Sequence, residues 1–377
     1  MIKKITALLI AIGLLTVLIS SVTARADDGL KVVESSVAAA FPYQLTFNLE
    51  AESDVDITDI RLHYKVDRDH FAVVTSEIII EFIPSTRVTA GWTWDMIKSG
   101  GLPTGTAIEY WWTLIDAGDN RIETERYSIQ FNDERYQWHS LKEGDITIYW
   151  YQGNDNFAHQ LMAVAQEALI RLAVDTGAYL QRPVRLYIYA STQDLQGAMI
   201  FPQEWTGGVA YTTHGVVAIG INTINLDWGK RTIVHEMTHL VTQQMTYNPY
   251  NSLPVWLNEG LSMYAEGEME PLFENYLEQA VIKDELISVR SLVSPFSAAA
   301  QLSYLSYAQS MSIVDFLIDN YGQERMLELL DTFKRGSSYD GALMMVYGFN
   351  MDGLNDLWQD YITAIYKPEV AGVLQSP

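Results

Sequence analysis

Cysteine is absent from all 377 residues. Its absence excludes disulfides, thiolate metal ligands, thiol nucleophiles and a lipid carried on an N-terminal cysteine. Positive charge is scarce, with 24 Lys and Arg against 47 Asp and Glu. So acidic a balance disfavours nucleic acid and anionic lipid as partners and favours solubility. Long apolar runs are nearly missing too: only Ile5 to Val22 approaches membrane-spanning length. There is no Gly-x-Ser-x-Gly elbow, no P-loop and no dinucleotide fingerprint, which sets aside the chemistries those motifs carry. With no repeat, no low-complexity segment and 48% apolar residues, the chain should be globular and has length for two domains.

The apolar run has a context. Lys3 and Lys4 precede it and Ala24-Arg25-Ala26 follows, so a basic region, an apolar region and an A-x-A site stand in the order of a secretory signal peptide. Residues 1–26 are therefore expected to be removed after Ala26, with the mature chain starting at Asp27 and no membrane span remaining. Losing Lys3, Lys4 and Arg25 leaves 21 basic groups against 47 acidic ones. An uncleaved anchor is the alternative, weakened by Thr16, Ser20 and Ser21 within the run. The expected location is outside the cytoplasm, either secreted or at the cell surface or periplasm. A cysteine-free exported chain with a short Lys-Lys start fits a bacterial source.

Between Leu30 and Phe131 the pattern is that of strands. Tyr43–Glu50 and Ile60–Val66 alternate apolar and polar residues, and Ile78–Phe82, Val88–Trp94, Ala107–Ile115 and Arg126–Phe131 continue the series. Turn residues break it at Pro84-Ser85, Gly100–Pro103 and Asp116–Asn120. Short, regularly spaced strands predict an immunoglobulin- or fibronectin-like β-sandwich over residues 27–135. The period then changes. Asp145–Tyr151 and Val184–Ala190 read as strands around a helix at Asn156–Asp175. Gly207–Tyr211 and Val216–Ile221 form a further strand pair, and everything after them is helical in period. The fold class is thus α+β, a sandwich followed over residues 140–367 by an α+β catalytic domain with a helical C-terminal part. The pairs Trp92/Trp94 and Trp111/Trp112 are read as sandwich core.

One pentapeptide carries chemistry. His235-Glu236-Met237-Thr238-His239 spells HExxH in a segment whose apolar residues Ile233, Met237, Leu240 and Val241 form one helical stripe. Residues four apart stand one turn above each other, so His235 and His239 can present imidazole nitrogens to one ion while Glu236 stays beside them as a base. Such a division of labour is that of a zinc-dependent hydrolase. Downstream, Asn251-Ser-Leu-Pro-Val-Trp-Leu-Asn-Glu-Gly-Leu-Ser262 sets a proline at the start of a second helix with Glu259 in its first turns. The 19 residues between His239 and Glu259 allow that helix to return against the first, and a carboxylate there completes a two-His, one-Glu set.

HExxH followed by Trp256-Leu-Asn-Glu-Gly260 resembles the glutamate-zincin clan, and the second motif is similar to the third-ligand helix of aminopeptidase N-like enzymes. A signal peptide, a β-sandwich and a small catalytic domain together most resemble the bacterial peptidase MA-like family. The resemblance covers roughly residues 140–366 and is specific at its two motifs. It implies Zn2+ held by His235, His239 and Glu259, with Glu236 taking a proton from the attacking water and passing it to the leaving amine. It also implies an oxyanion partner from the C-terminal helices; Tyr304 and Tyr307 fit by position, and Tyr307 is the choice because Tyr-Ala-Gln-Ser opens a long helix.

The sequence departs from that pattern at one place. Clan aminopeptidases carry a Gly-x-Met-Glu-Asn strand whose Glu holds the substrate's amine, whereas Gly197-Ala-Met-Ile-Phe201 lacks the Glu and lies too far upstream. An exopeptidase anchored in that way is therefore disfavoured. Gly208–Tyr211 or Val216–Gly220 is left as the strand that would hold an extended peptide. His214 is read as a solvated loop residue, and His63, His70, His139 and His159 lack ligand spacing. The expected partner is a peptide or protein substrate. Two alternatives stay open: an exported binding or adhesion protein with a vestigial zincin domain, and a zinc hydrolase of a non-peptide amide.

Overall fold

The computed structural model describes residues 29–69, 71–203 and 206–367, so the expected signal segment lies outside the described residues. Two units divide the chain. The first takes the described residues up to Asp67 with Ala72–Arg135 and Gly197–Pro202; the second takes Arg68–Phe71, Tyr136–Gln196 and the residues from Gln203 on.

The first unit is built of β1 (Lys31–Ala40), β2 (Gln44–Val66), β3 (Ser76–Ile79), β4 (Ser85–Asp95), the short helix α1 (Met96–Ser99), β5 (Thr106–Asp116), β6 (Arg121–Glu123) and β7 (Tyr127–Phe131). Where patterning suggests separate strands at 43–50 and 60–66, the chain runs through as the single strand β2. The intervening Ala51–Asp59 contains neither glycine nor proline, and it bulges instead of turning, with register shifts on either side of Ile57. The first half of β2 pairs with β1 and β4, the second with β3 and β5. The two halves thereby serve opposite layers. Phe47 on β2 meets Tyr110 on β5 edge-on at 5.0 Å, and the Trp112 indole on β5 donates to Ser35 Oγ on β1 at 3.1 Å. Both Trp111 and Trp112 are buried: Trp112 joins the main apolar cluster, while Trp111 lies on the other face of β5 beneath the Arg126 guanidinium, 4.0 Å from its ring centre.

The second unit begins with β8 (His139–Glu143), β9 (Ile146–Trp150), α2 (Asp155–Thr176), β10 (Val184–Tyr189), α3 (Thr192–Gln196), β11 (Gly208–Tyr211) and β12 (Val216–Gly220). These strands form a mixed sheet in the order β11-β12-β10-β9-β8, parallel at its centre and antiparallel at both edges. β8 carries no apolar alternation, which is why the sequence pattern passes over it. The central strand β10 is covered on both faces and reads as nearly continuous apolar sequence. The caps of α2 are local: the Asn154 side chain accepts from the Phe157 N–H, and Gly177 closes the helix in the left-handed region.

Helices α4 (Leu226–Thr246), α5 (Val255–Glu266), α6 (Pro271–Lys283), α7 (Ala300–Tyr321), α8 (Gln323–Lys334), α9 (Tyr339–Tyr347) and α10 (Met351–Tyr366) complete the unit. Among the described residues, no helix is long and apolar enough to cross a membrane. α4 buries Ile233, Met237 and Leu240 against the sheet and α2. It is also polar inside: Thr238, Thr242 and Thr246 are buried, each hydroxyl donating to the carbonyl four residues back at 2.7–2.9 Å. α5 crosses α7 at Gly260. A Cβ there would overlap the Ser310 carbonyl oxygen and lie 2.7 Å from Val314. Gly260→Ala should therefore cost about 1–3 kcal/mol in denaturant unfolding. In an uncrowded helix the same change stabilises by up to about 1 kcal/mol, so a gain in stability would show that the crossing has slack.

Candidate metal centre

α4 and α5 each offer one face to the other. On α4, Arg231, His235 and His239 are spaced one turn apart; on α5, Glu259, Ser262 and Glu266 recur at the i, i+3, i+7 positions of a single face. His235 and His239 stand with ring centres 4.8 Å apart and planes at 82°. Their Nε2 atoms lie 3.4 and 3.5 Å from Glu259 Oε2. Among the described residues, these three form the group of His and carboxylate side chains able to share an ion, with donor atoms all within 4.8 Å of one another.

The spacing fits a metal better than hydrogen bonds. Glu259 Oε2 is buried and has no hydrogen-bond partner. Tetrahedral bonds of 2.0–2.2 Å would separate donor atoms by about 3.3–3.6 Å, which matches both imidazole–carboxylate distances.

The far side of the His235 ring fixes its tautomer. His235 Nδ1 is 2.7 Å from Glu266 Oε1, and a carboxylate acceptor there requires the proton on Nδ1. Ser262 Oγ donates to the Asn258 carbonyl and lies against the His239 ring, 3.2 Å from Nδ1 and 3.5 Å from Nε2. Both Nε2 atoms face Glu259. Arg231 binds the other oxygen of Glu266 at 3.1 Å and reaches Glu270 at 3.1 Å. Sequence reasoning missed Glu266, Ser262 and Arg231. The face of α5 was the available signal, since Glu266 lies two turns beyond Glu259.

Glu236 is buried beside the ligand set without joining it. Burial raises its carboxyl above the ordinary range against the lowering influence of the two imidazoles. For His235, burial pulls downward, but the carboxylates of Glu259, Glu266 and Glu236 around the ring outweigh it and the ring is pushed up to about 10. His239 shifts upward for similar reasons, burial opposing and Glu259 prevailing. Glu259 is held well below the usual carboxylate range despite its burial, by His239 and His235. Without a metal, the cluster is short of positive charge, and it draws protons onto its rings.

Tyr307 comes from α7, its ring centre 6.5 Å from that of His235 and edge-on to Phe296 at 5.1 Å. Burial raises its hydroxyl, and the charges of Glu259, Glu236 and Glu266 add to the shift. Tyr304 lies one turn away against Phe273 and Tyr276. Among the described residues, the edge strand β11 pairs with β12 alone, and its first residue passes against Glu236: a Cβ on Gly208 would stand 2.8 Å from Glu236 Oε1 and 2.9 Å from Thr232 Cγ2, so a larger residue there would have to displace those side chains. β12 is internal to the sheet, so of the two strands considered from sequence, β11 has the free edge. Gly197–Pro202 belongs to the first unit, where Ile200 packs on Gly101. His214 lies in a single 3-10 turn, Thr212–His214, with Thr213 Oγ1 3.2 Å from its Nδ1, and stands outside the three-residue group.

Known proteins can be set beside this geometry. No curated protein matches the chain. Among solved structures, an M1 zinc metallopeptidase from Deinococcus radiodurans is 10% identical with a TM-score of 0.35, over 85% of this chain and 90% of that one. Aminopeptidase A of Legionella pneumophila is 12% identical with a TM-score of 0.37, over 84% of this chain but 47% of its own length. A β-1,3-glucan binding domain of carbohydrate-binding module family 56 is 18% identical with a TM-score of 0.17, over 25% of this chain and 94% of that one. Scores of this size carry no argument, and the sequence family stands apart from them. The model of the Peptidase MA superfamily matches residues 164–364, more than half of the chain and the whole of α4, α5 and α7. By that match, this chain belongs to the peptidase MA superfamily.

Proposed function

We propose that this protein is an exported, zinc-dependent metallopeptidase, with His235, His239 and Glu259 as ligands and Glu236 as general base. One observation carries the reading: a buried carboxylate oxygen with no hydrogen bond, set 3.4 and 3.5 Å from two imidazole nitrogens, one of them on a ring whose proton is held on its far side by Glu266. When bound, zinc supplies a Lewis acid that polarises a carbonyl and acidifies water. Glu236 is placed to accept the proton of the attacking water and return it to the departing amine. A structural zinc site has no use for a non-liganding carboxylate, which argues against a vestigial domain. Tyr307, whose ring centre stands 6.5 Å from that of His235, donates to the carbonyl oxygen as charge develops. An extended peptide lies along the free edge of β11, held by main-chain hydrogen bonds, and Gly208 brings that edge against Glu236. Export rests on the leader at residues 1–26.

Purified protein should hold about one zinc per chain, and His239→Ala should lose it. Glu236→Gln should keep the metal while cleaving casein about 10²–10⁴-fold more slowly. A metal-free parent, or equal cleavage by both proteins, would sink the reading. Tyr307→Phe should lower kcat about 10²–10³-fold with KM and metal content little changed; an unchanged kcat would remove Tyr307 from the chemistry. Glu266→Gln should weaken zinc binding about 10–100-fold in a chelator competition while the protein stays folded. Parent-like affinity would mean that Glu266 does not orient His235.

A further inference from the structure

Beside the metal-ligand cluster lies a cavity of about 480 Å³, with His235 and Tyr307 in its wall. Much of the remaining wall is apolar, including Trp228, Met263, Leu272 and Phe273. At its mouth, Trp228 is 39% and Leu272 48% exposed, large side chains left open to solvent next to a candidate reaction centre. The charged groups in the wall are already paired with one another. Arg231 is bound to Glu266 and Glu270, each at 3.1 Å, and the second oxygen of Glu266 takes the His235 ring at 2.7 Å. A charged side chain entering the cavity would have to break one of these pairs or lose its hydration without a counter-ion. An apolar one meets neither cost and covers the exposed Trp228 and Leu272.

We infer that this cavity is the specificity pocket, and that it receives a bulky apolar or aromatic side chain of the substrate next to the scissile bond. The inference rests on the peptidase reading of the adjoining site and adds the substrate class. β11 would present the backbone at Glu236 while the cavity takes the side chain, so cleavage is directed to apolar positions within unfolded or extended chains.

The test uses zinc-loaded Glu236→Gln protein and the peptides acetyl-Ala-Ala-X-Ala-Ala-amide with X as Phe, Leu, Lys or Asp, titrated by calorimetry. Phe and Leu peptides should bind at least about tenfold more tightly than Lys and Asp peptides. Ser303→Trp, which narrows the cavity from α7, should abolish that preference at unchanged zinc content. Leu272→Ala, at the exposed mouth, should reduce it several-fold without risk to the core. Equal binding of all four, no measurable binding of any, a preference for Lys or Asp, or an unaltered preference in both variants would overturn the inference. Peptide cleavage by the unmodified protein reports separately. Zinc-loaded protein that cleaves none of the four would sink the peptidase reading and leave the binding comparison to decide the pocket.

Discussion

Two imidazoles and three carboxylates share one buried place, and the packing of α4, α5 and α7 follows from keeping them there. Burial makes each charge costly, and the neighbours repay the cost only in a narrow geometry. His235 is caught between Glu259 and Glu266, and His239 between Glu259 and Ser262. Glu259 is the hinge of the arrangement, since both rings turn their Nε2 atoms toward one of its oxygens. The surrounding carboxylates shift both rings upward, toward their protonated forms.

A site of this kind needs two helices closer than bulky side chains permit, and the chain meets that need with small and self-satisfied residues. Gly260, next to Glu259, lies against the backbone of α7 where Ser306 and Ser310 turn their hydroxyls onto their own helix. The buried threonines of α4 do likewise. These hydroxyls thus line the interior with their own donors satisfied inside each helix. On the other flank, Gly208 brings the edge of the sheet against Glu236. Two glycines on different elements set the two close approaches from which the cleft is made.

How far the sequence could be read follows from the range of the interactions. HExxH is local, five residues on one helix, and Glu259 stands in a motif with a proline at its helix start; both were legible as patterns. The alternation of the sandwich strands was legible too, although β2 was split in two because a bulge leaves no turn residue to mark it. β8 escaped notice because an edge strand of polar residues has no period to detect. Glu266 and Arg231 are different. Each is an ordinary charged residue of an acidic surface until α5 folds back on α4, and only then does a helical face become a shell around a histidine. Tyr307 could be ranked by position, but its distance from His235 depends on the crossing at Gly260, a tertiary fact without a sequence period.

The open edge of β11 has a consequence for association between copies of the chain. A strand paired on one side presents a row of unpaired main-chain groups, and such a row accepts any extended segment, a strand of another copy of this chain included. Here the exposure is small. β11 is four residues long, ends in a tight 3-10 turn, and half of its residues turn their main-chain groups inward to β12. Four residues are too few to seed a sheet, so brevity at one edge guards the molecule against polymerising through it.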